Sequence, residues 1–154
     1  MFSACTPPDH QQSQQNKSDT QLQQQFQQWK AKQNPELLAG YYQFMAQYLK
    51  NPPSLMELTT TRNYMPEQCY SKRFAIPPKH YWKNVVSSLQ LVEKLNRNEF
   101  FKQYTITAIY RSPELNKCIH GAEQSKHLHN FAVDFYVLDP KELNDSDRKL
   151  LLIR

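Results

Sequence analysis

The stretch SKHLHNFAVDF, residues 125–135, holds the side chains whose types and spacing could do chemistry. His127 precedes Asp134 by seven residues, and Asp134 lies between Val133 and Phe135 in an otherwise apolar run. An ionised carboxylate in such a run is costly unless something neutralises it. Imidazole and carboxylate are the ligand types that zinc takes where thiolates are absent, and a divalent cation would let Asp134 stay ionised. Two other readings stay open on the residues alone: a carboxylate accepting from backbone amides, or one paired with Arg111.

The elements that must carry these residues can be read from periodicity. Residues 131–138 are apolar on both sides except for Asp134, the pattern of a central β-strand. Residues 104–110 alternate Tyr104, Ile106, Ala108 and Tyr110 against Thr105, Thr107 and Ile109, the period of a half-buried strand that ends at Arg111. Between them, residues 113–119 form a short helix or helical turn. Upstream, residues 35–49 carry Leu37, Leu38, Tyr41, Tyr42, Met45, Tyr48 and Leu49 at helical spacing, opened by Pro35 and stopped by Asn51-Pro52-Pro53. Residues 79–96 predict a second amphipathic helix with Trp82, Val85, Val86, Leu89, Val92 and Leu95 on one face. Residues 55–61 are β-prone. The expected class is α+β, with N-terminal helices packed on a small antiparallel sheet.

Composition excludes several functions. Only two glycines occur, against about eleven from average usage, so neither a dinucleotide-binding turn nor a Walker-type phosphate loop is present. No apolar run is long enough to span a membrane. The net charge of +5 suits an anionic neighbour such as the cell wall, lipid headgroups or nucleic acid. The basic residues are scattered, and the basic cluster and aromatic stacking motifs of a nucleic-acid binder are missing. Cys5, Cys69 and Cys118 form no CxxC pair, which argues against a thiolate zinc site. Cys69 and Cys118 would bridge in an exported protein and remain buried thiols in a cytosolic one.

The run Tyr110-Arg111-Ser112-Pro113-Glu114-Leu115-Asn116, followed by Ser125-Lys126-His127 and Ala132-Val133-Asp134, resembles the zinc D-Ala-D-Ala carboxypeptidases, a family that includes D-Ala-D-Ala dipeptidases and murein endopeptidases of the same D,D-peptidase (hedgehog-like) fold. That signature joins a GYRS-like strand end to an S-x-H-x-x-G-x-A-x-D block about a dozen residues later. Two positions depart from it: Ile109 stands for the glycine before Tyr-Arg-Ser, and Asn130 for the glycine of the second block. Asparagine is the best non-glycine residue for a left-handed turn. The resemblance implies that His127 and Asp134 are two of three protein ligands to zinc. It implies that Arg111 binds substrate or steadies charge on the attacked carbonyl, and that Ser125 contacts the substrate peptide.

In that family the third ligand is a later histidine, with an acidic general base just before it. No histidine follows Asp134 here. His129 would face away from His127 in an extended chain, His120 sits in the IHGAEQ turn, and His80 and His10 read as solvated. The chain also stops in mid-pattern at Leu150-Leu151-Leu152-Ile153, so the expectation is a D,D-peptidase-like domain over residues 35–154 that lacks its last strands. At the other end, Phe2-Ser3-Ala4-Cys5 resembles a lipobox, with Phe in place of the usual Leu and only Met1 before it; an upstream start would supply the missing signal segment. Residues 1–5 are then a lipoprotein remnant with Cys5 as the lipidation site. Residues 6–34 read as a flexible stalk, because residues 11–28 hold ten glutamines and only two large apolar residues, Leu22 and Phe26. Glutamine is also a fair helix former, so Thr20 to Lys32 could form a loose helix with Leu22, Phe26 and Trp29 along one side.

Together these features point to a zinc-dependent peptidase of D-Ala-containing peptidoglycan peptides, a D,D-carboxypeptidase or endopeptidase, impaired as this chain for want of a third ligand and base. The expected setting is the cell envelope, periplasmic or extracytoplasmic, with a membrane anchor at Cys5, no nucleic-acid partner, and a monomeric state. The alternative is a non-catalytic peptidoglycan-binding or envelope interaction module.

Overall fold

Helix α1 (Asp9–Lys30) is formed by the glutamine-rich stretch of the chain. The computed structural model describes residues 9–137, and its contacts divide the chain into two units, residues 1–33 and residues 34–154. Of residues 6–34, read as a stalk within which Thr20 to Lys32 could turn helical, Asp9–Lys30 form a helix of 22 residues. The physical reason lies in glutamine, an unbranched residue that loses little rotamer freedom in a helix. The rings of Phe26 and Trp29 meet at 6.0 Å one turn apart, and the Gln33 side-chain amide donates to the Trp29 carbonyl at the helix end. Cys5 lies outside the described residues, as does the segment from residue 138 that includes the apolar run Leu150-Leu151-Leu152-Ile153.

In the second unit, helix α2 (Pro35–Tyr48) begins where sequence predicts. Asn34 caps it by accepting from the amides of Glu36 and Leu37, and Pro35 takes the first turn, where its missing N–H is not needed. Tyr41, Met45 and Leu49 recur every four residues and point one stripe into the core. The segment expected as one helix over residues 79–96 is two pieces, a 310 helix (Lys79–Val85) and then α4 (Val86–Arg97). Trp82 sets the tighter winding: its indole N–H donates to the Pro77 carbonyl at 2.9 Å, and its ring packs 5.2 Å from Tyr41 and 5.6 Å from Phe44. Val85, Val86, Leu89 and Val92 complete the face against α2, joined by Leu58, Phe101, Ile106, Ile109 and Val133. Each large apolar side chain buried this way stabilises the fold by about 1.5–3 kcal/mol.

Residues 55–61, expected as β-prone, instead begin with helix α3 (Leu55–Thr59). A capping box overrides the strand propensity: the Glu57 amide donates to the Ser54 hydroxyl, and the Glu57 carboxylate accepts from the Ser54 amide. The chain then runs extended from Thr60, whose partner in an isolated bridge is Phe74.

Strands β1 (Tyr104–Ala108) and β2 (Asp134–Val137) pair antiparallel, with Ile106 opposite Phe135 and Ala108 opposite Asp134 across a bulge. Among the described residues this sheet has two strands, and residues 131–133 do not join it. The central strand expected over residues 131–138 is therefore corrected to begin at Asp134 and, among the described residues, runs to Val137. The Phe131 carbonyl accepts from the Ser88 hydroxyl and its amide donates to the Lys126 carbonyl, so its backbone groups are satisfied outside a ladder.

Helix α5 (Pro113–Cys118) follows Arg111 directly and is capped by Ser112, whose hydroxyl accepts from the Leu115 amide. It packs through Leu115 on a small cluster with Met65 and Cys69, where Cys69 and Cys118 form a disulfide with Cα atoms 5.9 Å apart. Closing a loop with a sequence separation of 49 removes chain entropy equivalent to about 4 kcal/mol.

Candidate metal centre

His127 is placed by a short 310 helix (Lys126–His129) that ends at Asn130, whose backbone is left-handed at φ 60° and ψ 35°. This is the position where the resemblance has a glycine, and asparagine tolerates the conformation. Asn130 is fully buried, and its amide donates to the Tyr81 carbonyl at 3.0 Å. The turn is further tied by the Asn84 amide, which donates to the His129 carbonyl.

His127 is gripped at both ends by the segment that leaves β1. Its carbonyl accepts from the Arg111 amide at 3.1 Å, and its ring Nδ1 lies 2.6 Å from the Ile109 carbonyl. A carbonyl can only accept, so Nδ1 carries the hydrogen. Ile109, the other departure from the resemblance, thus contributes through its backbone while its side chain fills the core.

That tautomer decides what the other nitrogen can do. With Nδ1 protonated, the Nε2 of a neutral ring presents a lone pair, and the atom facing it at 3.2 Å is Oδ2 of Asp134. Two acceptors held together require a proton on Nε2 or a cation shared between them. Donors about 2.0–2.1 Å from a tetrahedral zinc lie about 3.3 Å from each other, so the observed separation suits a shared ion. The backbone carbonyl behind His127 is the kind of outer partner that orients a metal-bound imidazole. The residues present fit zinc as two of its ligands.

Asp134 is half-buried, on the first residue of β2. Burial alone would raise its pKa. In the metal-free pair, with a proton on Nε2, the hydrogen bond and charge of His127, the Asn63 amide donating to Oδ2 at 2.8 Å, and the Arg111 guanidinium outweigh that effect and hold the carboxyl below its usual range. Asp134 is therefore ionised near neutral pH. Asn63, 71 residues away in the chain, carries no signal in local spacing and is found only in three dimensions.

Arg111 is half-buried beside this pair. Burial lowers its pKa, the Asp134 carboxylate partly restores it, and a guanidinium stays cationic throughout. One Nη donates to the Asn116 side-chain oxygen at 3.3 Å, while the buried Nε meets no partner among the described residues. Asn116 in turn donates to the carbonyls of Gly121 and Ala122. The approach at Gly121 is close: a Cβ there would stand 2.2 Å from the Asn116 oxygen and 3.3 Å from the Arg111 Nη1. Only glycine fits without shifting Asn116 and the guanidinium it steadies.

Ser125 is half-buried at the start of the 310 turn, and its hydroxyl does not cap that turn. His129 is exposed with its ring edge-on to Tyr81 at 5.4 Å; His120 is exposed in a left-handed turn at φ 52°; His80 is exposed against Tyr81. Among the described residues no third histidine, cysteine, aspartate or glutamate joins His127 and Asp134 in a metal-binding group.

The arrangement pairs a metal-ready imidazole and carboxylate with a fixed guanidinium, a combination that suits polarising and cleaving an amide. No curated protein and no solved structure matches the chain. The family model described as Peptidase M15 matches residues 56–149, which takes in α3 from its second residue, both strands and every residue of the centre. Over that span, more than half of its length, the chain belongs to the Peptidase M15 family of zinc peptidases.

Proposed function

We propose that this protein acts on D-Ala-containing peptidoglycan peptides as a zinc-dependent D,D-carboxypeptidase or endopeptidase, and that the 154-residue chain does so weakly if at all. The observation that carries the metal part is the apposition of His127 Nε2 and Asp134 Oδ2 with Nδ1 tied to the Ile109 carbonyl. When bound, zinc would polarise the scissile carbonyl and supply a water acidic enough to ionise near neutral pH. His127 and Asp134 hold it. Arg111, whose Nε meets no partner among the described residues, offers its guanidinium to the substrate carboxylate or to the developing oxyanion. Ser125, at the rim of the same turn, contacts the peptide. The general base and third ligand lie outside this set.

An extracytoplasmic setting is supported by the Cys69–Cys118 disulfide, which persists in oxidising compartments. Lipid anchoring at Cys5, wall contact by the net positive charge, and a monomeric state belong to the same reading. The two-ligand set also favours a second reading, a non-catalytic module that holds the fold and binds peptidoglycan.

Equilibrium binding of an N-acylated peptide ending in D-Ala-D-Ala, against its L-Ala-L-Ala isomer, tests the proposal in zinc-containing buffer. The D form is expected to bind preferentially, with at least about tenfold weaker binding in Arg111→Ala, and turnover is expected to be slow and abolished by chelator. Zinc-independent binding without turnover would favour the second reading. Equal treatment of the two isomers would remove the substrate assignment altogether.

A further inference from the structure

We infer that Asn63 is a positioning residue for the metal centre, holding the Asp134 carboxylate in the rotation that faces His127; this rests on the metal reading above. The Asn63 amide nitrogen lies 2.8 Å from Oδ2, the same carboxylate oxygen that stands 3.2 Å from His127 Nε2. A carboxylate only accepts, so the amide must present its NH2 to Asp134. Without that donor the carboxylate can rotate about its Cβ–Cγ bond and offer either oxygen. With it, Oδ2 is fixed on the side where an ion would be shared.

The contact is built by the fold. Residues 59–63 form a strap tied on two sides: the Ala75 amide donates to the Thr59 carbonyl and the Thr61 amide to the Arg73 carbonyl, at 2.9 and 2.8 Å. On the other side the Arg62 amide donates to the Thr107 carbonyl at 2.6 Å. Thr107 sits at the bulge of β1, next to Ala108, and Ala108 is the register partner of Asp134. The bulge thus frees a carbonyl to catch Arg62, and the next residue of the strap reaches the carboxylate. Downstream, Met65 and Cys69 are buried in the disulfide cluster, so the strap is anchored beyond Asn63 as well. Tyr64, between Asn63 and Met65, is 98% exposed, which places the constraint on the Asn63 amide and not on its neighbour.

Outer-sphere partners of this kind change metal affinity about 10- to 100-fold when removed. The experiment measures zinc affinity by chelator competition for the wild-type chain, Asn63→Leu, Asn63→Ala and Tyr64→Ala. The melting temperature of each metal-free protein and the visible spectrum of each cobalt(II) form are recorded alongside. Both Asn63 variants are expected to lose about 10- to 100-fold in zinc affinity and to change the cobalt spectrum, with Tyr64→Ala unchanged. The smaller alanine serves if leucine prevents folding. Wild-type zinc binding with either folded Asn63 variant within twofold of it would overturn the role of Asn63 and leave the metal reading standing. A wild-type chain without zinc above background would overturn both.

Discussion

Two supports hold the candidate centre, and they are made differently. His127 and Asp134 rest on the main apolar core: Ile109 and Val133 lie within it, and Asn130 ties the His127 turn to the Tyr81 carbonyl beside Trp82. Arg111 depends instead on α5 and the Asn116–Gly121 corner, whose base is a cluster of Met65, Cys69 and Leu115 closed by a disulfide. The first support draws on burial spread over many side chains. The second has few apolar residues and substitutes a covalent link. The metal side should therefore respond to core packing, and the guanidinium side to redox state and to the space at one glycine.

The largest effect expected is on the first support. Trp82→Ala removes the ring that joins α2 to the Tyr81 segment and should destabilise the protein by about 3–5 kcal/mol in denaturant unfolding, weakening zinc binding with it. Cys118→Ser should cost about 2–5 kcal/mol. Hydrogen exchange should then rise first in α5 and the Asn116–Gly121 corner, with His127 and Asp134 still protected; equal loss on both sides would erase the distinction between the supports. Gly121→Ala should cost about 1–3 kcal/mol through displacement of Asn116 and reduce peptide binding while leaving zinc affinity within twofold. The smallest effect belongs to Asn130→Gly, which keeps the left-handed turn but empties a buried site and leaves the Tyr81 carbonyl without its side-chain donor, about 1–2 kcal/mol in thermal unfolding.

What was legible in the sequence follows the same division. His127 and Asp134 could be linked from spacing because a single short turn and the start of a strand bring them together. Tyr41, Met45 and Leu49 could be placed because a helix repeats its own period. Asn63 could not, since its meeting with Asp134 depends on the β1 bulge and the Arg62–Thr107 bond, neither of which leaves a local pattern. Residues 55–61 depart from their β-prone pattern for a subtler reason: threonine-rich composition favours a strand, but Ser54 and Glu57 form a capping box that fixes the first turn of α3. Residues 131–133 are apolar enough for a strand, yet the left-handed turn at Asn130 and the Ser88 bond redirect them. The Peptidase M15 family could be approached from the Tyr-Arg-Ser and Ser-x-His segments, while the guanidinium's dependence on Gly121 required coordinates.

The central claim is that His127 and Asp134 share a metal ion and not merely a proton. Zinc affinity of the folded 154-residue chain, measured by chelator competition beside Asp134→Ala, tests it most directly. Weak binding of one zinc ion, lost in the variant while its fold persists, is the predicted result. Zinc absent from the wild-type chain, or bound equally well without the Asp134 carboxylate, would contradict it.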